Sequence, residues 1–313
     1  MLTLRHYPAR APSLVALTKA APDEPEWKAL HRIADQAAPA MQRTVLAAVA
    51  ATKAHPGLLA ALRRSLRDGN QAEAVTAVLD AWDAGNLHMD RVFRRAFRES
   101  AEKSGAVGVK LLESAGVEKF PFEVTNERWG AALRAGSDNA VQAISRSIPE
   151  AVRSTLISGI EEGEGAFKLS QRIADQIGLT ERQAVSVERY RARLAEQGMK
   201  PARVDRLVAA RTKKAIKQRA ITIAHTESIR SVNVGYQESI NQAVELGRMD
   251  ANRLEREWIT SADDVVCPVC TDLDGKRAAL QGGEFDSGVT MPPAHARCRC
   301  AQAVTRKPGV RAL

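Results

Sequence analysis

The chain has 313 residues, enough at roughly 150 per domain for about two domains with cores of their own. Hydrophobic residues make up 44% and charged residues 27%, a globular balance that excludes a disordered or collagen-like chain. Aromatics stand at only 4%, which favours Ala-, Leu-, Val- and Ile-lined helices over β-sandwiches, and the net charge of +9 points to a polyanion or an acidic protein surface as partner.

Residues 1–22 read as an irregular arm rich in Pro, Ala and Arg, ending where Asp23 and Glu26 offer a capping pair. Residues 23–120 read as a helical domain. Trp27, Leu30, Ala34 and Ala37 recur at helical spacing, Pro39 is expected to kink or interrupt that helix, and His55-Pro56-Gly57 to end its continuation. Val75, Val78, Leu79 and Trp82 form a second stripe, which Gly85-Asn86 is expected to close. A further helix is expected from about Asp90 to Leu112, and Gly116 to Phe122 reads as a connector and soft domain boundary.

Residues 121–250 form a second helical stretch. Ile144, Ile148, Val152, Leu156 and Ile160 step by four, with a helix start at Pro149. Leu169 to Ile177 reads as a short helix, and Thr180 with Gln183 makes a capping-box pattern. From Arg182 to Arg219 there are twelve basic residues against Glu188, Glu196 and Asp205, which accounts for the whole net charge. This stretch is the candidate polyanion contact, with Arg211, Lys213, Lys214, Lys217 and Arg219 its densest part. Ile229, Val232, Tyr236, Ile240 and Ala243 mark another helix, stopping at Gly247.

Residues 251–313 change character. Short segments at Arg256 to Thr260, after Gly275, and at Cys300 to Thr305 are separated by Asp, Gly and Pro turns, as in a small β-rich module. All four cysteines lie here: Cys267 and Cys270 as C-x-x-C, then Cys298 and Cys300 in H-A-R-C-R-C. That spacing is a zinc-knuckle spacing, in which two thiolates meet one ion, and His295 with Cys298 or Cys300 completes a tetrahedron. Five donors compete for four places, and the sequence leaves Cys298 and Cys300 open. A closed S/N set suits a structural Zn²⁺. The competing readings are a redox pair, which wants a helix start after a βαβ strand, and plain buried thiols.

No apolar run reaches the roughly 18 residues of a membrane span, and MLTLRHYPARAP lacks a signal-peptide core. A chain made in the cytosol keeps its thiols reduced. No phosphate loop, H-E-x-x-H helix or nucleophile elbow occurs, and His225 and Glu227, two apart on a helix, are expected to face different ways.

From Asn126 onward the chain resembles the phage head morphogenesis family, the minor capsid proteins typified by the F-like protein of phage Mu. The resemblance rests on GLTERQA, IAHTESIRSVNVGYQESI, REWITSADDVVCPVCTDLDGK and PPAHARCRC. Trp258, Thr260, Asp263, Cys267, Cys270, Leu273 to Lys276, Pro292, Pro293, His295, Cys298, Arg299 and Cys300 stand at the family's motif positions. His225 stands where the family usually has Arg, before Thr226 and Glu227. The expected fold class is mostly α, with a small C-terminal α+β module stabilised by zinc. The resemblance implies a structural protein that is no enzyme and acts in head assembly. Its implied partners are the portal protein, the major capsid or scaffolding protein and, in some members, the packaged double-stranded DNA. Its implied location is the virion, at the portal vertex or capsid interior, after assembly in the host cytoplasm. The competing class is a metal-dependent nuclease or toxin-like effector built on the same module, using His225, Glu227 or the metal.

Overall fold

The apolar stripe that begins at Trp27 builds α1, Pro25–Lys53, and its buried face of Leu30, Met41, Val45 and Val49 lies against two longer helices. The computed structural model describes residues 25–124, 127–261 and 263–307; the expected N-terminal arm and Asp23 lie outside them. Helix α1 continues through Pro39 without interruption. The burial of its apolar face outweighs the roughly 3 kcal/mol a proline costs inside a helix. Gly57 opens α2, Leu58–Arg67, and Asn70 caps α3, Gln71–Ser114, by accepting from the backbone N–H of Glu73.

Helix α3 does not stop at Gly85-Asn86, as the sequence suggested. A Cβ at Gly85 would stand 2.9 Å from Thr52 of α1, so this glycine serves a close helix approach and ends nothing. The connector at 116–122 is present, but one core cluster runs from Ala38 to Val234 and so draws on helices from both sides of it.

After the connector come α4, Glu127–Ser145, α5, Ile148–Glu161, with Pro149 in its first turn as expected, and α6, Ala166–Gln176. The Thr180–Gln183 capping box opens α7, Glu181–Glu196. A turn at 197–200 leads into α8, Pro201–Glu245, one 45-residue helix that joins the basic run to the stripe ending at Ala243.

The two halves of α8 lie in different environments. From Arg203 to Lys217 it alternates buried Val204, Val208, Thr212 and Ile216 with exposed cations and pairs with α7 as a hairpin. From Ala224 to Ala243 it is buried almost all round, between α1, α3, α4 and the C-terminal module. The approach to α3 is close: a Cβ on Gly235 would lie 1.9 Å from the Ala101 carbonyl oxygen. Ser100 and Ser231 share a 2.6 Å hydrogen bond across that contact, and Ser104 Oγ donates to the Val232 carbonyl at 2.5 Å. Glu238, 2% exposed, is held by Arg128 of α4 at 2.8 Å.

The C-terminal module is a three-stranded antiparallel sheet of order β2-β1-β3, with β1 Leu254–Ile259, β2 Arg277–Ala279 and β3 Ala301–Arg306. A six-residue helix, α9 Pro268–Leu273, lies between β1 and β2. The molecule is mostly helical with this small strand region at its C-terminal end, as expected. Among the described residues no single helix is long and apolar enough to cross a membrane.

Candidate metal centre

The module's own core is small: Trp258, Leu273, Ala278 and Phe285, joined by Cys270, Cys298 and Cys300. The motif residues around it work as cross-links. Trp258 donates its backbone N–H to the Lys276 carbonyl, and the Gly275 N–H donates to the Trp258 carbonyl, so the L-D-G-K turn extends the β1–β2 pairing. Gly275 sits at φ 69°, where a side chain would be strained. Asp274 accepts from the Thr260 N–H at 3.0 Å. Asp263 accepts both arms of the Arg299 guanidinium and thereby ties the C-x-x-C loop to the C-R-C segment.

These contacts bring all five expected donors together. Cys267 caps α9, and its sulfur accepts from the Cys270 N–H at 3.4 Å, as a tight C-x-x-C turn requires. His295 Nε2 stands 3.0 Å from both Cys267 Sγ and Cys270 Sγ. Its other nitrogen, Nδ1, donates to the Ala296 carbonyl at 2.9 Å, which leaves the Nε2 lone pair facing the sulfurs. Cys270 Sγ lies 3.7 Å from Cys298 Sγ. Two sulfurs bound about 2.3 Å from one tetrahedral ion stand roughly 3.8 Å apart, so this spacing fits a shared ion. Cys270, Cys298 and Cys300 form a second close triad that shares Cys270 with the first.

All four cysteines are free thiols. Hydrogen bonds from Cys270 and Cys300 hold the Cys298 thiol well below the usual range, while the bonds of Cys270 with Cys298 and Cys300, and then burial, push Cys270 up. One sulfur therefore takes the negative charge first and its neighbours keep their protons. A cation among them favours the thiolate form of every sulfur it touches. The donor set thus fits a metal ion of zinc type, and Cys267, Cys270, His295, Cys298 and Cys300 could hold one.

Two helices support the loop that carries the last three donors. The Arg299 carbonyl, between Cys298 and Cys300, accepts from Trp27 Nε1 at 2.8 Å and from His31 Nε2 at 2.9 Å, both on α1. The two α1 rings stack at 3.8 Å. Burial, followed by the neighbouring His225, lowers His31 to about 3, so it acts as a neutral donor. From α8, Thr226 Oγ1 accepts from the Arg297 N–H at 2.9 Å. His225 is lowered to about 4, first by burial and then by Arg297 and Arg299. A neutral imidazole is what this position admits, with two guanidinium groups already nearby.

Residues 150–303 match the family model of the Phage Mu protein F like proteins. This is a Phage Mu F-like protein. No curated protein and no solved structure matches the chain. The Mu F-like region encloses all five donors and the α7–α8 hairpin, whereas Trp27 and His31 lie outside it. The match places the chain with phage head morphogenesis proteins, a structural family.

The other expected site residues separate into two groups. Arg211, Lys213, Lys214 and Lys217 are exposed on α8. Arg219 is not: it is 8% exposed, donates to the Gly178 carbonyl at 2.9 Å and to Ser147 Oγ at 2.7 Å, and burial lowers it to about 10. Arg219 faces inward because α8 turns that position toward the start of α5 and the end of α6, so it anchors the bundle and is withdrawn from the polyanion set. His225 and Glu227 do not converge, since Glu227 pairs with Arg230 at 2.9 Å while His225 faces the Cys298 loop.

Sequence reasoning missed Arg256. This 2%-exposed cation donates to Gln237 of α8, Gln302 of β3 and the carbonyls of Ala279, Gly283 and Thr290. It joins the sheet, the loop before the cluster and the bundle. Its place in the REWIT block beside Trp258 was the available signal.

Proposed function

We propose that this protein is a minor capsid protein of a tailed phage or prophage, bound at the portal vertex or capsid interior during head assembly. The observation that carries the reading is the family match over residues 150–303. The donor geometry supports a structural role: Cys267, Cys270 and His295 with Cys298 or Cys300 would hold a Zn²⁺ with no position left open for substrate. When bound, the ion would cross-link the α9 turn to the 295–298 loop, adding folding free energy that so small a core lacks.

In this reading the partners are the portal protein and the major capsid or scaffolding protein. The exposed cations Arg211, Lys213, Lys214 and Lys217 suit an acidic portal surface or packaged double-stranded DNA. The protein assembles in the host cytoplasm and ends in the virion. Native mass spectrometry after co-expression with the portal protein of the same phage tests this. A stable complex with the portal is the expected result; no association with portal, capsid or scaffolding protein would overturn it.

A further inference from the structure

Between α7 and α8 lies an open groove of about 530 Å³ whose walls carry Arg182, Arg189, Arg193 and Arg211. Three of these are outside the dense run on α8 and belong to α7. Arg182, Ser186, Arg189 and Arg193 follow i, i+4, i+7, i+11, which puts them on one face of that helix over about 16 Å. Glu181 is the acidic residue of the lining. The hairpin's own ion pair, Arg191 with Asp205 at 2.6 Å, involves none of the four.

The groove is also organised. Tyr190 lies between its walls, with the Arg211 guanidinium 4.7 Å and that of Arg193 5.4 Å from the ring centre. Arg211 additionally donates to Ser186 Oγ at 2.9 Å. Guanidinium groups resting on an aromatic ring lose less freedom on binding than cations free in solvent.

We infer that this groove binds the phosphate backbone of nucleic acid. The inference rests on the polyanion part of the function proposed above and gives it a ligand class and a place. The cations that line it are all arginine, whose planar fork meets two oxygens of one phosphate. A stripe of about 16 Å spans about five base-pair rises of 3.4 Å along a duplex axis, and so faces a regular row of phosphates that separate carboxylates on flexible peptide side chains do not offer. Lys214, one helical turn beyond Arg211, continues the positive field.

The test is fluorescence anisotropy of a labelled 30-base-pair duplex with the full chain, as a function of salt. Arg189→Glu with Arg193→Glu is compared with Lys213→Glu with Lys217→Glu; all four positions are exposed, so circular dichroism should not change. The groove pair should weaken duplex binding at least tenfold at low salt and lower the log–log salt slope by about 2. Arg189→Lys with Arg193→Lys, which keeps the charge but not the fork, should recover only part of it. If the groove pair binds within twofold of the parent while the α8 pair is weakened, the groove assignment is wrong and the polyanion reading stands. If the parent binds no duplex at low salt, both fall. If poly-glutamate at equal charge competes as well as DNA and with the same dependence on Arg189 and Arg193, the ligand is an acidic protein and the inference is overturned.

Discussion

The helical bundle and the C-terminal module solve the same problem by different means. In the bundle, α1, α3 and α8 bury long apolar stripes, and small residues let two helices come within backbone contact at Gly235 and Ala101. The module has three short strands and few apolar side chains, so its ordering depends on Arg256, on the Asp263–Arg299 pair and on the Cys/His cluster. Where the chain offers long helices, packing supplies most of the ordering, and buried pairs such as Arg128 with Glu238 add to it. Where it offers about fifty residues of strand and turn, polar cross-links and ligand bonds replace the missing core.

This contrast is breakable at several points. The largest effect should come from Gly235→Ala, since the added methyl would meet the Ala101 carbonyl at 1.9 Å and force α3 and α8 apart. A loss of about 3 kcal/mol or more is expected in urea unfolding. A midpoint equal to the parent's would show that the bundle does not depend on this contact. Arg256→Met should cost somewhat less, about 3 kcal/mol at most, because the side-chain volume is kept while Gln237, Gln302 and three carbonyls lose their donor. Hydrogen exchange should place that loss in β1, β2 and the 283–290 loop, and loss spread evenly through α3 and α8 would erase the distinction.

Acid acts on the seam between the two regions. His31 is held neutral to about 3 in the folded chain, whereas the unfolded chain protonates near 6.5. The unfolded state therefore binds the extra proton first. His31's contribution is complete above pH 6.5 and fades as pH falls toward 3, by about 2–3 kcal/mol at pH 4.5. His31→Gln, which keeps an N–H for the Arg299 carbonyl without titrating, should flatten the pH dependence of unfolding between 6.5 and 4.5 relative to the parent. An unchanged slope would remove His31 from the seam. The smallest effect is expected from Trp27→Phe, which keeps the ring stack on His31 but removes one hydrogen bond to the Arg299 carbonyl, about 1 kcal/mol, read by thermal melting.

The legible parts of the molecule are those whose cause is local. The Thr180–Gln183 capping box, the Pro149 helix start, the three strand segments and the Cys/His spacing could be read because a few neighbouring residues determine them. The errors arose where a distant partner decides. Gly85 looks like a helix stop until Thr52 of another helix is seen against it. Arg219 and Lys217 are two residues apart in a basic run, yet only Arg219 turns inward to Gly178 and Ser147. Arg256 gives no local sign of its five acceptors, which come from four separate segments. The roles of Trp27 and His31 were likewise hidden, since their target is a carbonyl some 270 positions away.

The most direct test of the account is the metal content of the purified full chain, measured by native mass spectrometry together with hydrogen exchange before and after acid release of the ion. The account predicts one zinc per chain, absent in Cys270→Ser, and a loss of protection on release confined to residues 254–306 while α3 and α8 stay protected. A metal-free chain whose module is as protected as the bundle, with Cys270→Ser indistinguishable from the parent, would contradict it.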